Sequence, residues 1–259
     1  MNVIEHVVEA PRTCPYLPTE RSSHELSVVL DMSPSELDTW LERGWRRFGP
    51  VYFRPACGAC SQCVSLRLLA PLVRLGKSER RIVRTTGRLR RVIRAPILDS
   101  ERLDLYARWH ANRESARGWE PNPQSPERYA LDFAFPHAAA RELAFYDDDA
   151  RGKLVGLGLF DETPRALSAA FFFYDPDYSR SCLGTANILA LVAEACARSL
   201  PYVYLGFCVE GCPSLKYKGR FSPAEALLGH PSFDEDPEWV LRRPSHPDRA
   251  APGDGKVRP

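Results

Sequence analysis

The 259-residue sequence has no apolar run long enough to span a bilayer, and its start, Met1-Asn-Val-Ile-Glu-His6, lacks the basic-then-apolar pattern of a secretory signal. The expectation is a cytoplasmic protein that does not enter a membrane. Net charge is nearly absent as well: Lys+Arg number 35 against 33 Asp+Glu, a formal +2. Overall charge therefore says little about partners, and local clustering must decide. The length exceeds that of the usual single domain, so one large or two small domains with a sizeable core are expected. In a reducing cytosol the 8 cysteines suit metal ligation, catalysis or buried filling better than disulfides.

Near the start, Thr13-Cys14-Pro15-Tyr16-Leu17-Pro18 reads as extended or turn, because each proline biases its predecessor away from helix. Residues 22–29 suit a strand. Ser33-Pro34-Ser35-Glu36 opens a helix with Ser33 as N-cap and Glu36 three later, and Leu37, Trp40 and Leu41 give its apolar face up to Gly44. Cys57-Gly-Ala-Cys60-Ser-Gln-Cys63 then puts three thiols on one tight loop. Thiolates suit zinc or an iron-sulfur cluster, and Cys14 is the candidate for the fourth ligand. A redox pair or simple burial are the other readings. Of the remaining cysteines, Cys196 fits a helix core, while Cys208 and Cys212 fall in or beside a loop near the expected cleft.

Between residues 74 and 94 stand Arg74, Lys77, Arg80, Arg81, Arg84, Arg88, Arg90, Arg91 and Arg94 with one acid, Glu79. Such a patch suits phosphates; a solvated helix face is the alternative. Residues 99–117 read as a helix with Leu103, Tyr106, Ala107 and His110 on one face and Trp109 beside it, His110 reading as a packed or surface histidine rather than a catalyst. A proline-broken loop follows at 118–126. Strands are predicted at 143–146 and 154–160, joined by the turn 147–152. The run 166–174, ending at Asp175-Pro176, reads as a buried strand; 184–198 follows as a helix with Ile188, Leu191, Val192 and Ala195 in register, and 202–206 as a second strand. Free N–H groups at that helix start suit the polar end of an acyl donor, although an ordinary core unit has the same pattern.

Several pieces, in order from about residue 12 to 228, resemble the bacterial aspartate/glutamate leucyltransferase family, relatives of the arginyl-tRNA-protein transferases. They are Cys14-Pro-Tyr-Leu-Pro18, Gly44-Trp-Arg-Arg-Phe-Gly49, Tyr52-Phe-Arg-Pro-Ala-Cys-Gly-Ala-Cys-Ser-Gln-Cys63, Tyr174-Asp-Pro-Asp-Tyr178, Leu183-Gly-Thr185, Tyr202-Val-Tyr-Leu-Gly206 and Tyr217-Lys-Gly-Arg-Phe221. The resemblance implies an α+β fold of the GCN5-related N-acyltransferase (GNAT) type, a mixed sheet flanked by helices, with an N-terminal cysteine-bearing subdomain. The expected division is residues 1–98 for the cysteine-containing, tRNA-contacting part, 99–231 for the transferase part and 232–259 for a disordered tail. The implied activity takes leucine from Leu-tRNA to the N-terminal Asp or Glu of a protein, marking it for degradation.

The implied cofactor is zinc or an iron-sulfur cluster on Cys14, Cys57, Cys60 and Cys63. No coenzyme A is expected, because Ser181 stands in the frame Ser181-Cys-Leu-Gly184-Thr-Ala186 where acetyltransferases carry a long polar side chain. Asp175, Tyr178, Tyr204 and Tyr217 are the candidates for catalysis, with Asp175 equally readable as a turn former. Arg47, Arg54, Arg67 and Lys218 are candidates to hold the acceptor carboxylate, each equally readable as a structural ion pair. For tRNA the candidates are Arg80, Arg81, Arg84, Arg88, Arg90, Arg91 and Gly184. An arginyl donor, an acetyl-coenzyme A dependent N-acetyltransferase and a metal-holding RNA-binding regulator remain as alternatives. Where relatives often carry Ser-Leu-Gly this chain has Cys182-Leu-Gly184, and Ser214 stands where they often carry a lysine.

Overall fold

A computed structural model describes residues 1–242. In chain order the elements are β1 (Asn2–Val8), β2 (Arg12–Thr13), β3 (Arg21–Ser22), β4 (His24–Leu30), α1 (Pro34–Glu42), β5 (Arg46–Phe48), β6 (Val51–Pro55) and β7 (Val64–Leu69). After them come α2 (Lys77–Thr86), β8 (Arg90–Arg94), α3 (Ser100–Arg117), α4 (Pro126–Phe133), β9 (Ala140–Asp147) and β10 (Lys153–Glu162). The chain continues with β11 (Ala166–Tyr174), α5 (Leu183–Ala197), β12 (Tyr202–Cys208), β13 (Ala224–Leu227) and β14 (Trp239–Arg242). The large mixed sheet has eight strands in the order β14-β13-β7-β12-β11-β10-β9-β8, and a second sheet has the order β1-β4-β6-β5.

Local chemistry accounts for the element starts. Ser33 caps α1, its Oγ accepting from the Glu36 N–H while the Glu36 carboxylate accepts from the Ser33 N–H. Asp99 caps α3 in the same way through the Arg102 N–H. β11 has the predicted bounds, and α5 and β12 lie within two residues of theirs. β11 and β12 are the one parallel pair of the large sheet, as a strand–helix–strand crossover requires.

Alternation along the strands divides the core by face. Leu167, Val203 and Leu205 meet Ile188, Leu191 and Val192 of α5. Phe173, Leu154 and Leu157 meet Leu105, Tyr106 and Trp109 of α3 on the other face. Trp40, Trp45 and Tyr52 of the smaller sheet cover Ala166 and Tyr204, also on that second face. Gly158 lets α5 approach β10 closely: a Cβ there would stand 2.1 Å from Asn187 Oδ1.

Three expectations need correction. On α3, Ala107 is exposed, whereas Arg102, Leu105 and Trp109 are buried with Tyr106 and His110. An arginine that carries its own carboxylate partner can occupy a core position that apolar periodicity does not mark. Arg102 is fully enclosed, its Nε 3.0 Å from Glu142 Oε2 and its Nη1 2.6 Å from Asp99 Oδ2; Arg94 adds a 2.7 Å bond to Glu142 Oε1. The boundary at residue 98 cuts through the large sheet, because β7 and β8 lie before it and pair with β12, β13 and β9. The tail expected from 232 is ordered as far as 242: Arg43 bonds the Ser232 and Glu235 carbonyls, and β14 pairs with β13. The proposed disorder of 250–259 lies outside the described residues.

Candidate active site

β11 and β12 pair only over Ala166–Ser168 and Tyr202–Tyr204. Beyond that the two strands part. At the parting, β12 shifts register against β7 between Tyr204 and Gly206, and Gly206 takes φ +73°, a left-handed conformation natural to glycine. α5 begins beside the far end of β11, where a Cβ on Gly184 would reach Phe172 at an ordinary 3.9 Å. The Thr185 and Ala186 N–H groups both return to the Cys182 carbonyl. Those of Leu183 and Gly184 have no hydrogen-bond partner among the described residues. α2 packs beside α5 and beside the short helical turn Pro176–Ser181, so the arginine-rich helix adjoins the Gly184 turn.

Asp175 is buried at the end of β11. Its Oδ2 lies 2.8 Å from Lys153 Nζ and 3.3 Å from Arg108 Nη2, and its Oδ1 accepts from the Asp177 N–H at 3.0 Å. Burial pushes its pKa up, but the Lys153 bond, the Asp177 N–H and the two cations outweigh it and hold the carboxyl below its ordinary range. An ionised, doubly paired carboxylate is a turn holder and a weak proton acceptor. Tyr178 donates to Asp147 Oδ2 at 2.7 Å, and burial with that neighbour raises its pKa to about 12. Tyr217 packs against the core from the turn Lys216–Arg220, and burial raises its pKa too. Tyr204 is 1% exposed, sealed between the sheets against Trp239 and Arg46. It does not join the other three, because its β12 position faces the smaller sheet.

The acceptor-binding candidates divide sharply. Arg47 donates to Asp161 and to the Gly49 carbonyl. Arg54 donates to Glu25 at 2.5 Å and to the Pro231 carbonyl, with Trp45 under its guanidinium. Arg67 bonds Glu225 at 2.7 Å, stacked between Tyr202 and Trp239. All three are paired within the fold, in keeping with the structural ion-pair reading of each. Lys218 has no carboxylate partner among the described residues, and burial, with the charge of Arg46, lowers its pKa to about 8. Sequence reasoning passed over Arg46, the neighbour of Arg47 in the same motif. Arg46 is 6% exposed; its Nη1 donates to the Trp45 carbonyl at 2.7 Å, whereas Nε and Nη2 are buried without a partner.

The arginine-rich segment is less free than its sequence suggests. Arg88 pairs with Asp147 and Asp149, Arg90 with Asp148, and Arg94 with Glu142. These acids sit on the β9–β10 hairpin, which the register brings alongside β8. Arg80, Arg81, Arg84 and Arg91 are exposed and have no carboxylate partner among the described residues.

Cys14, Cys57 and Cys60 lie near Cys63. Burial, with Cys14, Cys57, Cys60 and Cys212 nearby, raises the Cys63 pKa to about 12. Cys212 is a member that spacing did not suggest; it arrives because the Cys14–Leu17 segment packs on the turn at Gly211, where a Cβ would meet Leu17 Cδ2 at 2.7 Å. Among the described residues no three Cys, His, Asp or Glu side chains stand close enough together to hold a metal ion.

The large mixed sheet with helices packed on its faces defines an α+β protein. Known proteins agree on the class. The family models for the arginine-tRNA-protein transferase N terminus and C terminus match residues 12–81 and 101–228. An aspartate/glutamate leucyltransferase of Campylobacter jejuni is 35% identical, covering 87% of this chain and 94% of its own. One from Helicobacter hepaticus is 31% identical over 93% and 99%, and one from Ruegeria pomeroyi 34% over 86% and 81%. The chain is thus an aminoacyltransferase of the aminoacyl-tRNA-protein transferase class. Within that class it belongs to the aspartate/glutamate leucyltransferase family. Among solved structures, the L-PGS of Bacillus licheniformis matches with a TM-score of 0.43 at 13% identity, covering 67% of this chain and 50% of that one, too slight a likeness to bear on the fold.

Proposed function

We propose that this chain transfers leucine from Leu-tRNA to the N-terminal Asp or Glu of acceptor proteins, marking them for degradation by the N-end rule, and that it does so in the cytoplasm. The observation that carries the reading is the identity of at least 31% to curated leucyltransferases over most of both chains. No helix among the described residues is long and apolar enough to cross a membrane. The parted β11 and β12 support a GNAT-like placement of the aminoacyl ester, its terminal ribose against the Leu183 and Gly184 amides and its tRNA against the exposed Arg80, Arg81, Arg84 and Arg91.

The chemistry asked of the site is modest. The donor ester is already activated, and an α-amino group with a pKa of about 7.7–8.0 is partly neutral near pH 7. Its nitrogen adds to the ester carbonyl; the C–N bond forms as the C–O bond to the ribose breaks, and the surplus amine proton goes to the departing oxygen. Positioning supplies much of the rate. Asp175 holds the turn that leads into α5, Tyr178 braces that turn through its bond to Asp147, and Tyr217 keeps its hydroxyl proton. A zinc ion or iron-sulfur cluster on Cys14, Cys57, Cys60 and Cys63 belongs to the proposal as a structural or redox element, and no step is routed through it. Metal analysis after anaerobic purification tests that part.

The test of the function is transfer of labelled leucine from charged tRNA to Asp- or Glu-starting peptides, with a panel of other charged tRNAs alongside. Leucine on both peptides is expected. Arginine transfer in its place, or no transfer, sinks the reading.

A further inference from the structure

Two cations stand over one backbone position of the site. A Cβ on Gly206 would lie 3.5 Å from Lys218 Nζ and 3.6 Å from Arg46 Nε. Arg46 is held there by β5 and by the rings of Tyr204 and Phe207, its guanidinium carbon 5.3 and 5.8 Å from their centroids. Two of its nitrogens have no acceptor although water does not reach them. The nearest acid, Asp161, is already bonded by Arg47. A buried guanidinium with orphaned donors beside an unpaired ammonium is unfavourable in isolation, and an anion placed between them satisfies both.

We propose that Arg46 and Lys218 form the pocket for the side-chain carboxylate of the acceptor's N-terminal Asp or Glu. This rests on the leucine-transfer reading and names the specificity residues of that same site. The position over Gly206 is where β12 leaves β11, so an acceptor anchored there has its amino group near the gap between the strands. The face argues for the acceptor rather than the RNA. Tyr204, under Arg46, points away from α5, which Val203 and Leu205 contact, and the arginine-rich α2 packs on the α5 side. Donor and acceptor then approach the gap from opposite faces of the sheet. The lowered pKa of Lys218, with burial and Arg46 as causes, fits an ammonium that a carboxylate would restore.

The test compares a peptide starting with Asp and one starting with the isosteric, uncharged Asn, for the wild type and for Arg46→Met and Lys218→Met. Each substitution removes charge-assisted hydrogen bonds, so the Asp-to-Asn ratio of kcat/KM is expected to fall about tenfold or more, chiefly through KM for the Asp peptide. A ratio that stays at the wild-type value in both variants, or a loss that appears in KM for Leu-tRNA instead, overturns the inference. Lys218→Met guards against a folding defect in Arg46→Met, and melting curves of both are read beside the kinetics. If the wild type moves no leucine at all, the proposed function fails, and the same ratio is then read as equilibrium binding of fluorescent Asp- and Asn-starting peptides. Equal binding of the two by the wild type overturns the pocket as well.

Discussion

Arg102 and Arg46 are both buried, under opposite terms. Arg102 lies between α3 and the large sheet with Glu142, Asp99 and the Tyr146 hydroxyl around it, and its pKa is raised: burial would lower it, but the Glu142 bonds outweigh that. Arg46 lies between the two sheets with one carbonyl and two rings, and burial lowers its pKa to about 10. The first charge is spent on folding, whereas two donors of the second meet no partner among the described residues. Stability and function separate along that line, because a satisfied buried charge holds elements together and an unsatisfied one can only be a liability or a receptor.

The comparison can be broken most forcefully at Arg102. Substitution by Met leaves the buried Glu142 carboxylate with Arg94 as its one remaining cation among the described residues, and a loss of about 3 kcal/mol in chemical denaturation is expected. A loss below about 1 kcal/mol would mean that the network is not holding α3. Next is Gly158→Ala, which drives a methyl into Asn187 Oδ1 at the contact between β10 and α5; about 1–3 kcal/mol should be lost. Were the melting temperature unchanged, that close approach would be wrong.

A half-buried base offers an intermediate case. His137 Nδ1 accepts from the Ala139 N–H at 3.0 Å, which leaves the proton on Nε2 for Tyr52. Burial, with Arg47 nearby, lowers its pKa from 6.5 to about 4. The unfolded chain therefore binds a proton that the folded one refuses. Its contribution is complete above pH 6.5 and is lost as the pH falls toward 4. Denaturation midpoints across that window should fall in the wild type and flatten in His137→Gln.

Smaller effects sharpen the contrast. Arg46→Met removes an unpaired charge but also two ring contacts, so its stability should equal the wild type or exceed it by about 1 kcal/mol, measured by denaturation. A loss near that of Arg102→Met would show that Arg46 has structural partners after all. The surface segment should divide in the same way. Arg80→Ala and Arg84→Ala should each reduce the salt slope of tRNA binding by about 1, with Arg88→Ala reducing it less because Asp147 and Asp149 already engage that side chain. Filter binding at several salt concentrations measures all three.

Much of the fold was legible wherever structure follows from neighbours in sequence. The Ser33–Glu36 capping box, the β9–β10 hairpin and the β11–α5–β12 unit announced themselves through caps, breakers and periodicity. The part played by β7 and β8 in the large sheet did not, since each finds its partners through distant pairing. The same holds for the site. Asp175 and Gly184 could be found by motif, but nothing in the repeated arginines of Trp45-Arg46-Arg47-Phe48 marks one as paired and the other as open.

The sequence alone determined the local segments and the family, because caps, turns and ordered motifs depend on residues a few positions apart. Tertiary structure alone decided which charges are free. Arg47 meets Asp161 across 114 positions, Arg67 meets Glu225 across 158 and Arg88 meets Asp147 across 59. Sheet register and packing brought those partners together, and among the described residues they left Arg46 and Lys218, above Gly206, without a carboxylate partner.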